Sequence, residues 1–210
     1  MSACVASHNA ESSHRLETTL RRNRTVWEIL TRAPSLQLPN WYLGAGCIAQ
    51  TVWNDLHGFP LTANIKDYDI VYFDLTDLSG GAEEARAEEA RKLFEDLGVE
   101  LDVKNEARVH LWYPDHFGYA IKPYSSTEDG ISTWPTTATA IGVRRNPDGS
   151  LTVYTPFGLE DLYGLIVRPN KRQITKEIYL TKVERWKKCW PRLVVVPWES
   201  EPAVLATRPS

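Results

Sequence analysis

The chain has 210 residues, 42% of them hydrophobic and 24% charged, which is ordinary globular usage and excludes wholesale disorder and fibrous repeats. With 24 basic against 27 acidic residues the formal charge is −3, so no global basic field argues for nucleic acid. The longest apolar stretch, Leu193-Val194-Val195-Val196, falls far short of the ~20 residues of a membrane helix, and the start Met1-Ser2-Ala3-Cys4-Val5 has neither the basic region nor the apolar core of a signal peptide.

Residues 1–14 are small, polar and without pattern, and 199–210 carry two prolines, so both ends read as tails around one domain over 15–198. From Arg15 to Arg32 the positions Leu16, Leu20, Ile29 and Leu30 suggest one helix ending before Pro34. Trp41-Tyr42-Leu43 is a short strand candidate that runs into Gly44-Ala45-Gly46, after which Ile48, Val52, Trp53 and Leu56 recur at helical spacing up to Gly58. The order is strand, glycine turn, helix.

Tyr68 to Phe73 is β-branched and aromatic, the composition of a buried strand. Ala90, Leu93, Phe94 and Leu97, followed by Gly98, predict an amphipathic helix over 83–97. Val99–Val103 and Ala107–Trp112 read as strand, and 138–143 with 151–154 as a hairpin around Asn146-Pro147-Asp148-Gly149. Tyr179, Val183, Trp186 and Trp190 then set the buried face of a last helix before Pro191. The content is α+β. Three scattered cysteines without C-x-x-C spacing fit a reducing compartment and no thiolate zinc site, and the expected localisation is cytoplasmic.

Chemistry concentrates in the acids. Side chains alternate along a strand, so Asp67 and Asp69 of Asp67-Tyr68-Asp69 would point to one side. Such a pair suits Mg²⁺ or Mn²⁺ shared with substrate phosphates; the plainer reading has Asp67 capping a turn. Asp102 stands between Leu101 and Val103 and wants a cation or a basic partner. If its strand continued, Lys104, Glu106, Arg108 and His110 would share its face, giving Arg108 and His110 access to whatever the acids hold. Arg108 reads equally well as an ordinary salt bridge, and a structural role is favoured for His110 and His116. The Gly44-Ala45-Gly46 turn can bring backbone amides and a helix N-terminus to an anion. Gln50, Asn54 and His57 recur at near-helical spacing and are candidate cleft residues without strong support. The basic segment Lys171–Arg192 reads first as a solvated helix face, and second, through Lys171, Arg172, Lys176, Lys182, Lys187 and Lys188, as a guide for an RNA acceptor or a triphosphate.

In order and wording, Gly44 to Asn54, Leu56-His57-Gly58, Asp67-Tyr68-Asp69, Asp102 to Trp112 and Arg168-Pro169-Asn170 resemble the stand-alone nucleotidyltransferase-like family of the DNA polymerase beta superfamily. The resemblance spans about residues 26–198. It implies a small mixed palm-type sheet backed by helices with a helical C-terminal segment. Asp67 and Asp69 would bind divalent metals that also grip an NTP, Asp102 would serve as third carboxylate, and Gly44, Ala45 and Gly46 would contact phosphates. The implied reaction moves a nucleoside monophosphate from an NTP to a hydroxyl acceptor, whether small molecule, RNA or protein. Ala45 departs from the superfamily's preference for Gly or Ser. A non-catalytic nucleotide-binding or interaction module is the alternative from another class, and a sugar-nucleotide glycosyltransferase ranks below both.

Overall fold

The structure, a computed structural model, describes residues 2–200, with side chains from Glu11 onward. Helix α1 (Ser2–Arg22) is followed by α2 (Arg24–Arg32). The sequence suggests one helix from residue 15 to 32, but Asn23 divides it. Its extended backbone places the side chain to accept from Val26 N at 3.3 Å and to donate to Thr51 Oγ1 at 2.8 Å, which caps α2 and starts a new direction. Over the stretch read as an N-terminal tail, α1 runs through residues 2–14. Of the expected C-terminal tail, 201–210 lie outside the described residues.

Five strands form the main sheet: β1 (Tyr42–Gly44), β2 (Asp67–Tyr72), β3 (Glu100–Asn105), β4 (Gly142–Arg145) and β5 (Leu151–Tyr154), in the order β3-β2-β1-β4-β5. Only β2 and β3 are parallel. Parallel neighbours need a crossover, here α4 (Gly80–Leu93), capped by Ser79 and carried to Leu97 by a 3-10 turn that stops at Gly98 in a left-handed conformation. One sheet face, bearing Leu43, Ile70, Val103 and Val143, joins the main core with side chains of α1, α2, α3 (Gly46–His57) and α4. The opposite face carries Tyr42, Asp69 and Val71, of which Tyr42 and Val71 form a small second cluster with Ile131. The acids therefore stand on the less covered face.

The expected strand 107–112 is a helix. Asn105 ends β3 by accepting from Ala107 N at 3.2 Å while also donating to Asp74 O at 2.8 Å, an Asx-type turn that diverts the backbone. A 3-10 turn over Glu106–Arg108 then leads into α5 (Val109–Phe117). A short α6 (Thr127–Ile131) and α7 (Glu160–Tyr163) flank the hairpin, and β6 (Ile166–Val167) pairs in parallel with β7 (Val194–Val195).

Helix α8 (Lys176–Cys189) is seated by aromatic packing. Trp186 and the following Trp190 each meet Trp53 of α3 edge-on at 5.4 Å, contacts that add ~0.5–1.5 kcal/mol each beyond area burial. Trp190 Nε1 donates to Asn54 Oδ1 at 2.7 Å, and the Tyr179 hydroxyl sits 2.8 Å from the Val167 carbonyl. These contacts fix α8 beside the acid-bearing end of the sheet. Among the described residues no helix is long and apolar enough to cross a membrane.

Candidate active site

Asp67 opens β2 on an exposed position, and Asp69, half-buried, follows on the same face. In the parallel register Asp69 is level with Asp102 of β3, and on its other side with Gly44 of β1. Burial, then the charges of Asp67 and Asp102, push the Asp69 carboxyl from 3.8 up to about 7, against the attraction of Lys182 and Lys104. Concentrated negative charge of this kind stores affinity for a cation. Asp102 itself pairs with Lys104 at 3.1 Å and is nearly half exposed.

A cleft of about 260 Å³ opens above these acids, with Ala45, Gly46, Asp67 and Asp69 on one side and Lys182 and Arg185 of α8 on the other. Asp102 lies beside it, not in its wall. The three-residue turn divides by role. A β-carbon on Gly44 would stand 2.5 Å from Ile141 O and 2.7 Å from the Trp134 ring, so this position requires glycine for close packing. Ala45 N donates to Ile141 O at 3.0 Å, leaving Gly46, the first residue of α3, at the helix end that faces the cleft. Ala45 holds φ 53° and ψ −128°, a region natural to glycine and strained for alanine.

Arg108 and His110, expected beside the acids, are elsewhere because β3 ends at Asn105. Arg108 Nη1 donates to Glu83 Oε1 at 2.6 Å and Arg108 Nε to Leu78 O at 3.3 Å, the salt-bridge alternative. His110 lies on α5, its Nδ1 buried without a partner. Of the α3 candidates, Gln50 lines the cleft, whereas Asn54 holds the Leu61 and Ala63 carbonyls and His57 Nδ1 lies 2.7 Å from Trp53 O.

Two features are only partly legible in the sequence: Lys182 is a secondary triphosphate candidate on a segment that reads first as solvated, with Arg185 missed, and Glu106 stands beside Asp102 only through a continuing strand. The cations opposite the acids are Lys182 and Arg185: burial and the Arg185 charge lower the Lys182 pKa, while Asp69 and Asp67 pull it back. Their i, i+3 spacing beside Trp186 was a usable signal, since a residue next to a buried tryptophan borders the core. Elsewhere on the segment, Lys171, Lys176 and Lys187 are spent on Ser200 O, Glu199 and Pro191 O. The second is Glu106, buried against Gly130 and pushed up to about 8 by burial and then the charge of Asp69. The sequence sets it beside Asp102 on a strand running past Asn105, whereas it opens the 3-10 turn that follows.

For a divalent ion the donor chemistry is suitable: Mg²⁺ takes one or two protein carboxylates and completes its shell with water and substrate phosphates. Asp67 and Asp69 supply that pair, and no group of three potential ligands converges among the described residues.

Sheet topology, the glycine-turn helix and the acids beneath a basic helix together define a nucleotidyltransferase head-type α+β domain. A solved structure described as revealing a CCA-adding enzyme head domain superposes with a TM-score of 0.72 at 25% identity, over 87% of this chain and 95% of that one. The sequence matches the profile of a nucleotidyltransferase family over residues 31–195, and the chain belongs to that family. A tRNA-processing enzyme in an apo form is also similar, at 18% identity over 77% of this chain and 41% of that one with a TM-score of 0.37, too low to carry an argument. Among curated proteins none matches.

Proposed function

We propose that the chain is a metal-dependent nucleotidyltransferase that moves a nucleoside monophosphate from an NTP to a hydroxyl acceptor. The observation that carries the reading is the cleft itself, in which Asp67 and Asp69 face Lys182 and Arg185 across the start of α3. A triphosphate needs positive charge along its length and cations at its reacting end, and these are the two walls on offer.

Lys182, Arg185 and the helix end at Gly46 bind and orient the phosphates. Asp67 and Asp69 would hold Mg²⁺ or Mn²⁺, which when bound neutralises phosphate charge and polarises the reacting centre. The acceptor hydroxyl attacks the α-phosphorus: a new oxygen–phosphorus bond forms, the bond from the α-phosphorus to the bridging oxygen breaks, and pyrophosphate leaves. Asp102, level with Asp69, accepts the hydroxyl proton once it has released Lys104. The similarity to a CCA-adding enzyme head domain makes an RNA 3′-hydroxyl the first acceptor to offer.

The test is pyrophosphate release with each NTP, Mg²⁺ and an RNA acceptor, compared between wild type and Asp69→Asn. Loss of metal-dependent turnover in the variant is the expected result, and equal turnover in both proteins overturns the reading. A second reading, nucleotide binding without transfer, draws on the Asp102–Lys104 pair and on the strained Ala45. It predicts NTP binding with no pyrophosphate under any acceptor.

A further inference from the structure

The motif Arg168-Pro169-Asn170 does not line the cleft, but it grips one of its walls. Asn170 is 1% exposed, and its bonds run to one short segment between α6 and β4. Its Nδ2 donates to Ser132 O and to Trp134 O, each at 2.8 Å, and its backbone N donates to Pro135 O at 3.0 Å. On either side the grip continues: Arg168 O accepts from Thr137 N at 3.1 Å, and Arg172 Nη1 donates to Ser132 Oγ at 2.6 Å. Arg168 is itself braced on Asp161, Nε to Oδ2 at 2.9 Å. A side-chain amide has two N–H donors, and here both are spent on carbonyls two residues apart, which ties down the backbone between them.

What the segment carries is Trp134. With Pro135 it lines the cleft that holds Asp67, Asp69, Lys182 and Arg185. Its six-membered ring rests on Gly44, where a β-carbon would stand 2.7 Å from Cη2 and 2.8 Å from Cζ3, and it packs against the cluster of Tyr42, Val71 and Ile131. Trp134 is thus wedged beside the glycine turn that opens α3, and it keeps part of its surface exposed. Trp186, the other aromatic of the cleft among the described residues, is 4% exposed and meets Trp53 with its ring.

The charged walls account for the phosphates and their cations. The rest of a nucleotide is a sugar and a flat base, and a fixed, partly exposed indole is a surface on which a base can stack. We infer that Trp134 is the platform for the base of the donor nucleotide, and that Asn170 is the positioning residue that holds Trp134 in place. Every base has a π-face, so this contact takes purines and pyrimidines alike. The inference rests on the nucleotide-transfer reading above, because it takes the triphosphate to lie between the acids and α8.

The experiment is calorimetric binding of the four NTPs, ribose 5-triphosphate and inorganic tripolyphosphate, each with Mg²⁺, to the full chain. In wild type every NTP is expected to bind about tenfold or more tighter than ribose 5-triphosphate and tripolyphosphate, the scale of one base stacked on an aromatic ring. Trp134→Phe, which keeps a ring, should hold that preference, and Trp134→Leu should cut it to about threefold or less. Asn170→Ala should weaken the NTPs about fivefold or more while tripolyphosphate stays within about twofold, and in the Trp134→Leu background it should have no further effect on the NTPs, as expected of a residue that acts through Trp134. Asn170→Ser, which retains one donor, should lose less than Asn170→Ala. NTPs that bind wild type no tighter than ribose 5-triphosphate, or a preference that survives Trp134→Leu, overturn the platform while leaving the phosphate site standing. Unchanged NTP affinity in Asn170→Ala, a loss shared equally by tripolyphosphate, or an equal loss in both backgrounds overturns the positioning role. If neither tripolyphosphate nor any NTP binds wild type, the nucleotide-transfer reading fails first and this inference falls with it.

Discussion

Asp69 on β2 is level with Asp102 on β3, and the pair shares one face of a parallel register. Burial and the charges of Asp67 and Asp102 hold Asp69 near 7 instead of 3.8. A carboxyl whose folded pKa is raised binds more protons folded than unfolded, so its effect destabilises as pH rises from about 4 through 7. The shift sets a ceiling of about 4 kcal/mol, and residual water access reduces the expectation to about 1–2 kcal/mol. Asp69→Asn should therefore melt several degrees above wild type at pH 8, with the advantage shrinking toward zero below about pH 4, as thermal denaturation across pH will show.

On the proposed function, a divalent ion held by Asp67 and Asp69 would bind their ionised forms, and its effect should follow the same titration. Saturating Mg²⁺ is expected to raise the wild-type melting temperature more at pH 8 than at pH 5.5, a hundredfold excess over Kd at pH 8 corresponding to a stabilisation of about 2.7 kcal/mol. Asp69→Asn should show little of this. An equal shift in both proteins would place the ion elsewhere.

Arg108 and Glu83 form a pair whose side chains are 14% and 10% exposed, and Glu83 also accepts from Asn105 N at 2.8 Å. Removing the cation strands a buried carboxylate, which costs about 3–5 kcal/mol. Arg108→Met should lower urea stability on that scale, while the folded fraction keeps its tripolyphosphate affinity. A loss of affinity at unchanged stability would restore Arg108 to the phosphate site.

Ala45 occupies φ 53° and ψ −128°, where a β-carbon costs about 1–3 kcal/mol. Glycine removes that strain and returns about 0.5–1 kcal/mol in unfolded-state entropy. Ala45→Gly should be stabilised by about 0.5–2 kcal/mol in urea titration, and a destabilised variant would contradict the backbone conformation.

Trp190 Nε1 donates to Asn54, which is fully buried. Trp190→Phe leaves that amide oxygen short of its donor and should cost about 1–3 kcal/mol. Because this contact helps seat α8, nucleotide affinity should fall together with stability, as binding and melting measured on the same samples will reveal.

The sequence by itself determined most of the framework. Periodicity bounded by glycine located α3 and α4, periodicity stopped by Pro191 located α8, β-branched and aromatic composition located β2, and the Asn-Pro-Asp-Gly turn located the β4–β5 hairpin, because each signal is local and is written in consecutive residues. Where a local competitor intervened, the reading failed. Asn23 split a helix, and Asn105 ended a strand with side-chain hydrogen bonds that hydropathy does not register, which took Arg108 and His110 away from the acids. Only the tertiary structure decided what faces the acids. Lys182 and Arg185 lie more than a hundred residues from Asp67 in the chain, and they reach the cleft because Trp186 and Trp190 dock on Trp53 and turn that side of α8 inward. Pairings across such distances depend on how whole elements pack, and no window of neighbouring residues carries that information.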